Sequence, residues 1–175
     1  MTSPSRLARS AVIGRMAALY NSTYQSLLPS FSGALPVVFD FNLPSTNVLL
    51  GEYAIKDVLA SNVSSLPLIT VYTKNGSNRD PLTKSQLFAG RIMIGVDQFV
   101  SMNTSKQPPD FETACDIHEA TMLEIFNNPN KQSFWGFKCI YNGELSWVRT
   151  AIDTGGRGWL RRLHYDIPID VDLSS

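Results

Sequence analysis

From Trp159 to Val171 the chain alternates with a period of two. Trp159, Arg161, Leu163, Tyr165, Ile167, Ile169 and Val171 fall on one side, and Leu160, Arg162, His164, Asp166, Asp170 and Asp172 on the other. That period belongs to a strand with one buried and one wet face. At about 3.3 Å per residue such a strand is about 40 Å long, and it needs partner strands along its length. A sheet, mostly antiparallel, is therefore the frame the rest of the chain must fit.

Candidate partners are easily found. Leu66 to Thr73 is an apolar, β-branched run. Asn75-Gly76 and the polar residues through Asp80-Pro81 predict a long turn after it. Phe88 to Val100 reads as a long strand, with Phe88, Ile92, Ile94, Val96 and Val100 on one face and Arg91, Met93, Asp97 and Phe99 on the other. Asn142-Gly143 separates Phe134–Tyr141 from Glu144–Ile152. Asn-Gly favours a type I′ turn, so these two runs predict a β-hairpin. Val37 to Phe41 is a further short β-prone run, broken by Pro44 and Ser45.

Two segments carry helical spacing instead. Ser3-Pro4 supplies an N-cap oxygen and a preset first turn. Ile13, Met16, Tyr20, Tyr24 and Leu27 then follow at steps of three and four, up to Pro29. Asp110 is the expected cap of a second helix, with Phe111, Cys115, His118, Met122 and Ile125 or Phe126 on one stripe and Asn127-Asn128-Pro129 as its stop. A shorter helix over Glu52–Ser61 would turn Tyr53, Val58 and Leu59 inward. The expected architecture is α+β: a mostly antiparallel β-sheet with helices packed on one side. It forms a single domain over 1–175, with the N-terminal helix at about 4–28 and the sheet-and-helix core at about 37–173.

Composition narrows the function. Fifteen basic and fifteen acidic residues give a formal net charge of zero, whereas a general nucleic-acid binder carries a basic excess. With 43% hydrophobic and 17% charged residues, the chain does not resemble a disordered one. No run approaches a membrane span. Arg6, Arg9 and Arg15 precede the first acid, Asp40, in a Ser-rich amphipathic stretch resembling a transit peptide, but the apolar stripe continues far past them. Four Asn-x-Ser/Thr sequons, at Asn21, Asn62, Asn75 and Asn103, read as chance matches without a signal core.

Each candidate for chemistry lacks a required part. His118-Glu119-Ala120-Thr121-Met122 begins like a zinc-protease helix, but Met122 stands where the second histidine is needed. Cys115 and His118 share a short helical spacing, yet both fall on the expected buried face, where a thiol is inert. Cys115 and Cys139 read as small buried residues. Gly155-Gly156-Arg157-Gly158 leads into a strand rather than a helix, so it is no phosphate loop. Asp110, Glu112 and Asp116, and likewise Asp166, Asp170 and Asp172, read as solvated surface or as charges aimed at a protein partner. The expectation is a non-enzyme with no catalytic residues, cofactor or metal.

The predicted hairpin points to protein binding. Trp135, Phe137, Cys139 and Tyr141 fall on one face, with Phe134 and Ile140 on the other. On the return run Leu145 and Trp147 oppose Val148 and Ile152. With both faces apolar, either the hairpin is central or another subunit covers it. Open strand edges likewise invite pairing between copies.

Leu66-Pro67-Leu68-Ile69-Thr70-Val71-Tyr72-Thr73 is similar to a strand of the tail-terminator and minor tail proteins of tailed bacteriophages. The segment before it, Tyr53 to Ser61, resembles the short helix of that family. The long strand, amphipathic helix and final alternating strand that follow have the family's order, so the resemblance covers roughly residues 50–173. It implies a virion protein of the head–tail neck, assembled in the host cytoplasm into a homo-oligomeric ring, as a hexamer. The ring ends the tail tube and joins it to a head-side neck or connector protein, and DNA passes through its channel without sequence-specific binding. Other neck proteins (head-completion, stopper or adaptor) and tail-tube-like subunits share related folds. A small enzyme with an unrecognised site is the more distant alternative. On this reading the expected contact residues are Asn75, Asn78 and Arg79 in the polar loop, Trp135, Phe137, Tyr141 and Trp147 in the hairpin, and Arg157.

Overall fold

A computed structural model of the chain describes residues 3–52, 67–78, 88–102, 111–127, 138–141, 143–155 and 159–173. Helix α1 spans Pro4–Leu27 and tightens into a 3-10 turn at Leu28–Ser30. Strands β1 (Val48–Leu50), β2 (Leu68–Asn78) and β3 (Ala89–Met102) precede helix α2 (Phe111–Asn127). Strands β4 (Cys139–Tyr141), β5 (Ser146–Ile152) and β6 (Trp159–Asp172) follow. The six strands form one sheet in the order β1-β2-β3-β6, with β4 and β5 both on the outer side of β6. Among the described strands only β1–β2 is parallel. The fold is α+β, with a mixed, mostly antiparallel sheet.

Both helices lie on the same face of the sheet. Residues Ala8, Val12, Met16, Tyr20 and Tyr24 of α1 are buried, four apart, with Ile13 and Leu27 at the margin of the stripe. Ser3 has the extended backbone of an N-cap, but its side chain makes no capping bond. The expected stripe of α2 is buried from Phe111 to Phe126. Its facing sheet residues are Val71, Ile92, Ile94, Val96, Val100, Leu163, Tyr165, Ile167 and Ile169. Burying each large apolar side chain contributes roughly 1.5–3 kcal/mol. Arginines tie α1 in place: Arg9 donates to Thr73 Oγ1 at 2.8 Å, and Arg15 to the Ile125 carbonyl near the C-terminus of α2.

One polar chain crosses this core. Gln98 Nε2 donates to Tyr20 Oη at 2.7 Å, and Tyr20 Oη lies 2.7 Å from His118 Nδ1. Because the tyrosine oxygen already accepts from Gln98, its proton goes to His118, which fixes Nδ1 as an acceptor. Burial pushes the His118 pKa down to about 3 from 6.5. Between these values the unfolded chain binds a proton that the native state does not. Stability should therefore fall as pH falls from about 6.5 towards 3, by up to about 1.4 kcal/mol per pH unit. Urea midpoints at pH 7 and pH 5 test this: His118→Gln should flatten the difference, and an unchanged slope would count against it.

Four sequence expectations are corrected. The most consequential is the Asn142-Gly143 hairpin. Cys139 pairs with Val171 and Tyr141 with Ile169, then Ser146 pairs with Asp166 and Ile152 with Leu160. The chain runs in one direction through β4 and β5, and the expected reversal does not occur. Gly143 does take the positive φ of 82° that the Asn-Gly signal favours. It uses that conformation between the two ladders, where β6 runs through Ile167 and Pro168 and the proline has no N–H to give. The true hairpin joins β5 to β6, through a turn that begins where Asp153 Oδ1 accepts from the Gly155 N–H at 2.8 Å.

Asn75-Gly76 is likewise not in a turn. It belongs to β2, which continues to Asn78 after a register shift at Lys74. Val37–Phe41 is not a strand either. Its backbone bonds to side chains instead: Asn21 both donates to and accepts from Phe39, and Asn47 donates to the Val38 carbonyl. The strand in this region is β1, which the sequence reading missed. Finally, the face away from the helices is not simply wet, since Leu68, Thr70, Tyr72, Asp97, Phe99 and Leu160 are buried there. The helix expected over 52–61, the Asp110 cap and the Asn128-Pro129 stop lie outside the described residues.

Candidate functional site

Two features of this frame could do something beyond holding it together. The first is an ion network in the middle of the face away from the helices. The ladder places Thr70, Asp97 and His164 in one row, with Phe99 and Arg162 in the next and Gly95 and Asp166 on the other side. Asp97 is fully buried. Its carboxylate accepts from Arg162 Nη2 at 2.8 Å, Tyr72 Oη at 3.3 Å and His164 Nδ1 at 2.6 Å. Burial alone would raise its pKa, but the bonds from His164 and Arg162 outweigh burial and hold it below the ordinary value. Asp97 can then only accept, so the shared proton sits on His164 Nδ1.

Beyond His164 the network reaches solvent. Its Nε2 lies 3.1 Å from Asp166 Oδ1 and 3.3 Å from Lys74 Nζ, and Lys74 also pairs with Asp166 at 2.8 Å. An acceptor and a donor are thus both in reach of Nε2. This is how a base is held by an orienting carboxylate. No hydroxyl or thiol bonds to His164 among the described residues. Both cysteines are buried, and burial raises the Cys115 thiol to about 11, so it does not supply a thiolate. Arg162 and Lys74 occupy the carboxylate oxygens that a cation would need, and among the described residues no group of three or more His, Cys, Asp or Glu side chains could hold a metal ion.

Gly95 is the hinge of this arrangement. A Cβ there would meet Tyr72 Cζ at 2.6 Å and Cε2 at 2.7 Å. Gly95→Ala should push the Tyr72 ring off Asp97 and cost about 1–3 kcal/mol, the usual penalty of overpacking. Denaturant midpoints check this, and a loss below 0.5 kcal/mol, an order-of-magnitude threshold for neutral surface changes, would mean that Tyr72 moves freely.

The second feature is the pair of sheet edges. On β4 and β5, Ile140 is 54% exposed, Trp147 44% and Val148 52%. At the opposite edge Leu50 of β1 is 51% exposed. Edge strands present unpaired N–H and C=O groups, and proteins blunt them with lysine, proline or inward charges. In β5 the one charge is Arg149, which turns onto α2 and bonds Glu119 at 2.7 Å and Asp116 at 2.6 Å. Glu112 joins this clamp through Arg149 and Arg161. The acids of α2, expected to be solvated or aimed at a partner, therefore hold β5 in place. Asp166 and Asp170 are also paired within the chain, to Lys74 and Arg91.

The expected contact residues are scattered. Asn75 and Asn78 are exposed on β2. Trp147 is exposed on β5. Tyr141 is buried against Phe126, with its hydroxyl donating to Asn127 Oδ1 at 3.0 Å, and serves the core. Arg79, Trp135, Phe137 and Arg157 lie outside the described residues. Ile140 and Val148 stood on the apolar faces of the predicted hairpin but were not among the expected contact residues, and Leu50 was missed as their counterpart. The alternation around β5 was visible, but its pairing with β6 alone was not. It also missed Asp97 as the centre of a network.

Among the described residues no helix is long and apolar enough to cross a membrane. No protein-family model matches the chain, and no curated protein matches it.

Proposed function

We propose that this chain is a non-catalytic structural protein of a tailed-phage virion. Copies of it form a ring at the head–tail neck that ends the tail tube and joins it to the head-side connector. The observation that carries the self-assembly is the pair of sheet edges that no described strand covers, at which Trp147, Val148, Ile140 and Leu50 are about half exposed. Two different edges on one subunit are what a head-to-tail ring requires. The phage context rests on the similarity of the Leu66–Thr73 strand and of the element order after it to tail-terminator proteins. In this reading the ring is a hexamer in the virion, assembled in the host cytoplasm, whose partners are the tube protein and a head-side neck protein. DNA crosses its channel without base contacts.

Light scattering and electron microscopy of the purified protein test the proposal. A six-fold ring with an open channel is the expected result. A twelve-fold ring would favour an adaptor role and open filaments a tube-like one. A monomer at high concentration would refute self-assembly. A second reading, acid–base chemistry at His164, is favoured by the 2.6 Å bond that its Nδ1 donates to Asp97. It requires His164→Gln to abolish a hydrolytic activity without disturbing assembly.

A further inference from the structure

We infer that the subunits join by continuing the sheet, with β5 of one copy lying antiparallel to β1 of the next and Trp147 seated against the neighbour's Leu50. This rests on the self-assembly reading above and adds the surface and the register.

The register comes from the ladder itself. Leu50, Val71, Val96, Tyr165 and Trp147 lie in one continuous row across the sheet, on the face the helices cover. Leu49, Thr70, Asp97, His164 and Val148 form the next row, on the opposite face. At both ends of the first row stands a half-exposed apolar side chain, Leu50 at 51% and Trp147 at 44%. The second row ends in the half-buried Leu49 and in Val148, which is 52% exposed. A second copy placed level with the first therefore brings Trp147 beside Leu50 and Val148 beside Leu49, each pair on one face.

Strand direction agrees. β1 runs with β2, and β2, β3, β6 and β5 alternate. Hence β5 and β1 point in opposite ways, and a level neighbour gives an antiparallel joint without inversion of either copy. Beside β1 the surface dips into an apolar depression lined by Leu43, Pro44, Ser45, Val48, Leu49 and Leu50, a seat for a large ring.

Pairing of β5 with another β5 would satisfy the same backbone groups. It would close at two copies and leave Leu50 and its depression uncovered. The heterologous joint covers both edges with one contact and lets it repeat around a ring.

Paired cysteines test the joint. Residues facing across an antiparallel pair have Cβ atoms roughly 4.5–5.5 Å apart, close enough for a disulfide after slight adjustment. Within one copy, Leu49 and Val148 stand at opposite edges of the sheet, about 19 Å apart at ~4.8 Å per strand, too far to bridge. The native cysteines are buried and free. Mild oxidation of the Leu49→Cys/Val148→Cys double variant should give a ladder of covalent oligomers, while each single variant stays uncrosslinked. Trp147→Ser should shift the assembly to monomers that keep the far-ultraviolet circular dichroism of the parent, with a lower thermal midpoint because the stabilisation by association is gone. Covalent dimers from Val148→Cys alone would overturn the joint in favour of β5–β5 pairing. Oligomers seen by scattering with no crosslink in the double variant would overturn it while leaving self-assembly intact. A monomeric parent protein would sink both.

Discussion

Replacing Asp97 by alanine is expected to cost about 3–5 kcal/mol, the range for breaking a buried ion pair by removing one partner. The carboxylate is fully buried and accepts from three side chains at once. Its loss would leave the Arg162 guanidinium, itself mostly buried, facing a void beside a hydroxyl and an imidazole. Domains of this kind are stable by about 5–15 kcal/mol, so the variant would sit near the unfolding threshold. Asp97→Asn should lose less, because the amide oxygen can still accept from Arg162. A guanidinium-chloride titration of both variants would settle the order, and a loss below about 1 kcal/mol for alanine, the size of an ordinary surface pair, would mean the network is held from elsewhere.

Tyr20→Ala should be comparably severe, at about 3–5 kcal/mol for the lost ring and its cavity. The ring lies edge-on to Phe39 at 5.3 Å and within 6.3 Å of Tyr24, and its hydroxyl links Gln98 to His118. Tyr20→Phe separates the two contributions. It keeps the packing and removes the hydroxyl, so Gln98 Nε2 and His118 Nδ1 lose their shared partner, at about 1–3 kcal/mol. Thermal unfolding of the pair measures both. Equal losses for the two variants would assign the whole effect to the hydroxyl and refute the cavity estimate.

These residues differ in how visible they were beforehand. Tyr20 and His118 stood on helical stripes, where a local period of 3.6 is enough to place a side chain inward. The bond between them needed tertiary structure, since α1 and α2 are far apart in sequence. Asp97 was correctly placed on the face opposite the helices, because alternation assigns faces. Alternation does not say what covers a face, nor which residues share a row. Thr70, Asp97 and His164 align only through registers set by long-range pairing. Asn142-Gly143 failed for a related reason. The dipeptide's preference for positive φ was met at Gly143, but the fourteen-residue β6 offered enough edge for both flanking runs, and the chain kept going.

The central place of β6 has a consequence for biosynthesis. It is the last of the six strands to leave the ribosome, yet β3, β4 and β5 all find their ladder partner in it. A nascent chain that has emerged only through Ile152 has the β5 sequence but no neighbour to order it. Leu50 and Trp147 can come level across one sheet only after β6 has inserted between β3 and β5. The surface proposed to join copies is thus absent from partly synthesised chains. On that proposal, folding comes before association, and the edge strands meet a partner only after the stage when exposed strands most readily aggregate.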